Sequence, residues 1–202
     1  MIRNLILTKC KKTYLVFLVV FITVNSLISQ ESNFSLSLNY PLTNGDNYFD
    51  RNDGLIDLGV QYRFIDAGVV DLGISLNAAF FNFSSDSGLT TTTEKSLLLQ
   101  PRLFAEFNIP AVQKLQPFLG LGYALTSFKN EFSTSQQVIN NDSNSGGLNF
   151  NFGLSYYIFK GLFVQGQYDY ISSKREEGTV PDPDEKFYQK IGLIKLGVGY
   201  RF

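Results

Sequence analysis

The sequence predicts an all-β chain of eight antiparallel strands running up and down and closed into a barrel. Three observations carry this expectation. Eight segments alternate apolar with polar residues, and the connections between them alternate in length. Beyond the first thirty residues, no apolar run approaches the roughly 20 residues of a membrane-crossing helix.

The chain begins with a basic stretch, Arg3, Lys9, Lys11 and Lys12, followed by the apolar run Tyr14 to Val24 and the small polar stretch Asn25 to Gln30. These are the three regions of a secretory signal peptide. Eleven apolar residues are too few for a helical anchor, so cleavage after Ser29 is expected: 1–29 is the signal peptide and 30–202 the barrel domain. Cys10 leaves with the leader, which excludes disulfides and thiol chemistry. The leader also removes four of the seventeen basic residues and none of the eighteen acids, leaving 13 − 18 = −5. A mildly acidic chain of this kind offers nothing to a nucleic acid.

Successive side chains of a strand point to opposite faces, so each segment reads as two rows. In the first, Phe34, Leu36, Leu38 and Tyr40 oppose Ser35, Ser37 and Asn39. The second sets Ile56, Leu58, Val60, Tyr62 and Phe64 against Asp57, Gly59, Gln61 and Arg63. In the third, Val70, Leu72, Ile74, Leu76, Ala78 and Phe80 oppose Asp71, Gly73, Ser75 and Asn77. The fourth is less regular, with Leu97, Leu99, Leu103, Ala105 and Phe107 against Leu98, Gln100, Arg102, Phe104 and Glu106.

The pattern then repeats. Leu119, Leu121, Tyr123 and Leu125 oppose Gly120, Gly122, Ala124 and Thr126. Leu148 to Ile158 alternate against Asn149, Asn151, Gly153 and Ser155. The seventh segment sets Leu162, Val164, Tyr168 and Tyr170 against Gln165, Gln167 and Asp169. The last sets Ile194, Leu196, Val198, Tyr200 and Phe202 against Lys195, Gly197, Gly199 and Arg201.

Asp66-Ala67-Gly68 and Lys160-Gly161 read as tight turns, and 108–116 as a somewhat longer connection. Four long polar loops are expected near 41–54, 84–96, 129–147 and 172–189. Long loops on one side and short turns on the other suit a transmembrane barrel with its short turns in the periplasm.

Alternation alone does not say which row meets water. A soluble periplasmic ligand-binding barrel would turn the apolar row inward, whereas a membrane barrel turns it toward lipid. The polar row is rich in glycine and small residues rather than the Lys and Glu of a wetted surface, and eight strands leave an interior just wide enough to be filled by side chains. Aromatics gather near segment ends, as in an interfacial girdle: Tyr40, Tyr62, Phe64, Phe80, Phe83, Phe107, Phe128, Tyr156, Phe159, Tyr170 and Tyr200. The chain closes on Val198-Gly199-Tyr200-Arg201-Phe202.

That terminus resembles the C-terminal signature of outer-membrane proteins. In strand count, loop asymmetry and terminus the barrel domain is similar to the small OmpA/OmpX-type barrels, and to the outer-membrane β-barrel domain of the Bacteroidetes type. The resemblance implies a Gram-negative outer membrane as location and lipid as surroundings. It also implies that the barrel-assembly machinery reads Tyr200 and Phe202 as an assembly signal.

Eight charges on the polar row are expected inside: Asp57, Asp71, Glu106 and Asp169 with Arg63, Arg102, Lys195 and Arg201. Unpaired buried ions are very costly, so an internal salt-bridge network is expected, with Arg63 and Asp71 facing each other across the 66–68 turn. The sequence contains no histidine. Ser–His triads and histidine-containing metal sites are therefore excluded. No catalytic, cofactor or metal residue is assigned. The acids Glu176, Glu177, Asp182, Asp184 and Glu185 lack the spacing of a defined calcium loop. A structural or surface-interaction role is expected, with an unknown partner met through the extracellular loops. A small-solute or ion-conducting, porin-like barrel is the alternative.

Overall fold

The alternating rows become the two faces of one wall. A computed structural model describes residues 33–45, 49, 52–87, 90–134, 138–174 and 190–202. The expected signal peptide, 1–29, and most of the last long connection, 175–189, lie outside them. The strands are β1 (Phe34–Asn44), β2 (Asp53–Asp66), β3 (Val70–Asp86), β4 (Thr90–Phe107), β5 (Leu115–Thr134), β6 (Val138–Tyr157), β7 (Leu162–Lys174) and β8 (Lys190–Arg201). Each pairs antiparallel with the next, and β1 closes on β8 from Ser35↔Arg201 to Asn44↔Gly192. Closure leaves the ring with no free edge and pairs its backbone internally, the condition for a strand to cross hydrocarbon.

The apolar row faces out on every strand. Leu103, Leu121 and Leu148 are 63%, 60% and 64% exposed. A belt of this extent would be a severe aggregation hazard in water and is at home only in lipid. Inside, the wall holds Ser, Asn, Gln and charges, many of them wholly buried.

The short turns are built as their residues suggest. Gly68 has φ +80°, its N–H bonding the Asp66 carboxylate at 2.7 Å. Gly161 has φ +83°, and a Cβ there would lie 2.4 Å from the Arg201 carbonyl oxygen. The β4–β5 connection contains a single 3₁₀ turn, Pro110–Val112.

Two expected loops are largely strand instead. Residues 84–86 continue β3 and residues 90–96 belong to β4, paired as far as Asp86↔Thr91. Residues 129–134 continue β5 and residues 138–147 belong to β6, paired as far as Ser133↔Val138. Because β4 and β5 stay paired to Thr90↔Thr134, the four strands form one sheet that rises past β2, whose last pair with β3 is Asp53↔Asn82. Val138–Ser145 alone adds roughly 25 Å along the strand at about 3.3 Å per residue. Polarity made these stretches look like loops, but threonines and asparagines pair as well as any residue once a neighbouring strand supplies the register.

Candidate functional site

The inward row builds three tiers along the barrel axis. At the short-turn end, Arg63 grips Glu106 with two bonds, Nε–Oε1 at 2.8 Å and Nη2–Oε2 at 2.7 Å. Arg201 adds contacts of 3.3 Å to Glu106 and 3.5 Å to Asp71. The Arg63 guanidinium lies over the Phe104 ring, 5.5 Å from its centroid; Phe104, Phe118 and Phe163 are buried, and each lies over a cross-strand glycine: Gly73, Gly153 and Gly199. A Cβ at any of the three would fall within 2.2–2.5 Å of the ring, so these glycines make room for the aromatic floor.

In the middle tier Lys195 lies between two carboxylates, 2.7 Å from Asp57 and 2.9 Å from Asp169, and donates to Gln100 at 2.5 Å. Arg102 binds Asp169 at 3.0 Å and donates to Asn77. Asn39 and Asn77 donate to Asp57 at 2.7 and 2.6 Å, and Gln100 to Asp169 at 3.0 Å. The lysine and both aspartates are fully buried and Arg102 nearly so.

All eight sequence-predicted charges therefore lie inside, divided into two groups of four. Each group holds two cations and two anions and is neutral by itself. Removing any one member strands a charge in the interior, which costs about 3–5 kcal/mol where the partner is fully buried. Arg102→Leu is expected to lower stability by that order, seen as a lower urea midpoint for the folded barrel in lipid. An unchanged midpoint would show that Asp169 does not depend on it.

One expected pairing is wrong. Arg63 does not face Asp71: the hairpin is centred past Gly68, so Asp71 lies opposite Asp66, and Arg63, beyond a bulge between Arg63 and Ile65, pairs with Gly73. The guanidinium reaches two strands away to Glu106 instead. Phe128, expected in the outer girdle, is likewise turned inward and 8% exposed.

Phe128 belongs to a third tier that sequence reasoning missed. At the long-loop end Phe49, Ala79, Phe81, Leu98, Ala124, Phe128, Ile171, Ile191 and Leu193 form a buried apolar cluster. Phe49 comes from the connection between β1 and β2. Its ring lies 4.4 Å from Phe81 and 5.9 Å from Phe128. Asn52 ties the same connection to the base of the rising sheet by donating to Glu94 at 3.0 Å. An inward-row signal existed for Phe81, Phe128, Ile171 and Leu193, which share parity with the polar residues of their strands; Phe49, in a loop, had none. Among the described residues no group of three or more His, Cys, Asp and Glu could hold a metal.

The terminal residues Tyr200 and Phe202 sit at the short-turn rim. Their rings meet edge-on at 5.2 Å, and Phe202 also contacts Phe34 at 5.9 Å.

Comparison with known proteins agrees with this architecture. No curated protein matches the chain by sequence. Among solved structures, Ail, the attachment invasion locus protein of Yersinia pestis, is similar at 20% identity and a TM-score of 0.52, over 84% of this chain and 96% of that one. Neisserial surface protein A is similar at 17% identity and a TM-score of 0.56, over 85% and 98%. The N-terminal barrel of Pseudomonas aeruginosa OprF is similar at 18% identity and 0.53, over 86% and 100%. These likenesses show the shared fold. The model of the outer membrane protein beta-barrel domain matches residues 15–202, and the chain belongs to that family of outer-membrane barrels.

Proposed function

We propose that this barrel conducts no solute and acts at the cell surface, its closed body serving as a membrane anchor for the rising β3–β6 sheet. The observation that carries this reading is the coincidence of that sheet with a lumen that holds three tiers of buried side chains among the described residues. Three tiers occupy the interior, two of ion pairs and one apolar, while the sheet projects from the end the apolar tier closes. The long-loop end is then extracellular, the short turns periplasmic, and the sheet meets a surface partner. In the same reading residues 1–29 are a cleaved signal peptide, the eight inward charges are structural, and Tyr200 and Phe202 are read by the barrel-assembly machinery.

Orientation is tested by amine labelling with a membrane-impermeant reagent. Lys95 and Lys129, exposed on the rising sheet, should label on intact cells. Lys114 and Lys160, exposed at the short turns, should label only after the outer membrane is permeabilised. The reverse pattern would overturn the assignment. Conduction is tested in planar bilayers, where no steady channel is expected. Phe49→Ala should still give none, because both ion-paired tiers remain beneath it, although losing a fully buried phenyl ring costs about 3 kcal/mol. Steady conductance in the unaltered protein would favour a solute-conducting barrel instead.

A further inference from the structure

The short-turn end carries a second feature that the surface role does not use. A pocket of about 460 Å³ opens between the β4–β5 connection and the β6–β7 turn. Lys114 lines it from one turn and Lys160 from the other, while Arg201 and Tyr157 reach it from the inner wall. Backbone bonds hold this frame: Tyr157 N–H donates to the Lys114 carbonyl at 2.8 Å, and Arg201 N–H to the Gly161 carbonyl at 2.7 Å.

The charge of the pocket is unbalanced. Glu106 and Asp71 hold Arg201 from the lumen side, and with Arg63 these four form a neutral tier. Lys114 and Lys160 stand outside that balance and make no ion pair with any described residue, so the rim carries two uncompensated positive charges. Arg201 is itself loosely held, a quarter exposed with carboxylate contacts of 3.3 and 3.5 Å.

A hydrogen-bond donor is also unspent. The Tyr157 hydroxyl is buried beside the Arg201 guanidinium, which only donates, and the phenolic hydrogen finds no acceptor among the described residues. Leaving a buried donor unmade is costly, and an anionic oxygen in the pocket would satisfy it once the loosely held Arg201 side chain moves aside. On the same turn Ile158 and Phe159 are 39% and 70% exposed, placing apolar side chains next to the cations, as at a bilayer interface.

We propose that this pocket binds the phosphate of an anionic phospholipid in the leaflet at the short-turn end. Lys114 and Lys160 meet the phosphate oxygens, Tyr157 donates from the wall, and Ile158 and Phe159 lie along the start of the acyl chains. In the orientation proposed above, that leaflet is the periplasmic one. Basic pockets at a membrane surface recognise anionic headgroups by this combination of charge and depth.

The test is native mass spectrometry of the purified barrel in detergent with equal phosphatidylglycerol and phosphatidylcholine. Detergent has no sides, so a negative result here leaves the orientation standing. The unaltered barrel should retain phosphatidylglycerol preferentially. The Lys114→Gln/Lys160→Gln variant should lose that preference by about thirtyfold, and Tyr157→Phe should weaken it several-fold. Lys95→Gln/Lys129→Gln removes equal charge from the opposite end and should behave as the unaltered protein. Equal retention by both double variants, or no preference in the unaltered barrel, would overturn the proposal. Displacement of the lipid by millimolar inorganic phosphate would assign the site to free phosphate and overturn the lipid ligand.

Discussion

Lys195→Met is expected to destabilise the folded barrel by about 3–5 kcal/mol, read as a fall in the urea midpoint in lipid vesicles. The lysine is fully buried and bridges Asp57 and Asp169 at 2.7 and 2.9 Å. Methionine fills similar volume, so the loss is electrostatic: the middle tier passes from neutral to a net charge of −1. Asp169 keeps Arg102, but Asp57 is left with only the Asn39 and Asn77 amides as donors. A rescue follows. Adding Asp57→Asn restores neutrality and should recover most of the loss, giving a double-mutant coupling well above the roughly 0.5 kcal/mol of independent sites. Additive losses in the two single variants would mean that the tier is not an electrostatic unit.

Leu121→Arg carries the second large effect, and its size depends on what surrounds the wall. Leu121 is 60% exposed near the middle of β5, with Leu103 and Phe150 as cross-strand neighbours. A charge on the lipid face at the bilayer midplane costs about 2–4 kcal/mol. The same substitution on a wetted surface would shift stability by no more than about 0.5 kcal/mol. A clear drop in the urea midpoint in vesicles is expected, and a neutral outcome would place the apolar row in water.

The parts of this molecule legible in the sequence are those governed by a period of two. Residues such as Leu119, Leu121 and Tyr123 against Gly120 and Gly122 announce a wall with two unlike faces, and the eight charges fall on the inner face because parity alone decides it. The turn glycines Gly68 and Gly161 were equally readable, since positive φ favours glycine. Pairing between distant strands was not. Arg63 finds Glu106, two strands away, because the turn sets Asp71 opposite Asp66 and the curved wall brings β4 side chains within its reach, and nothing local to Arg63 signals either. The Asn- and Ser-rich stretch Val138–Ser145 has little strand propensity of its own and is strand because β5 supplies hydrogen bonds along it. Phe49 shows the limit most plainly. A single aromatic in a polar loop looks incidental until the apolar parts of β3, β4, β5, β7 and β8 converge to receive it.

The claim beneath all of this is that the apolar face meets hydrocarbon and the polar face is the interior. The chain has no tryptophan, so Leu121→Trp would install a single indole on the outer wall, excited apart from the tyrosines. In vesicles whose lipids carry bromine near the middle of the acyl chain, its emission should be blue-shifted and strongly quenched. Red-shifted emission untouched by the brominated lipid would contradict the account, because position 121 would then face water.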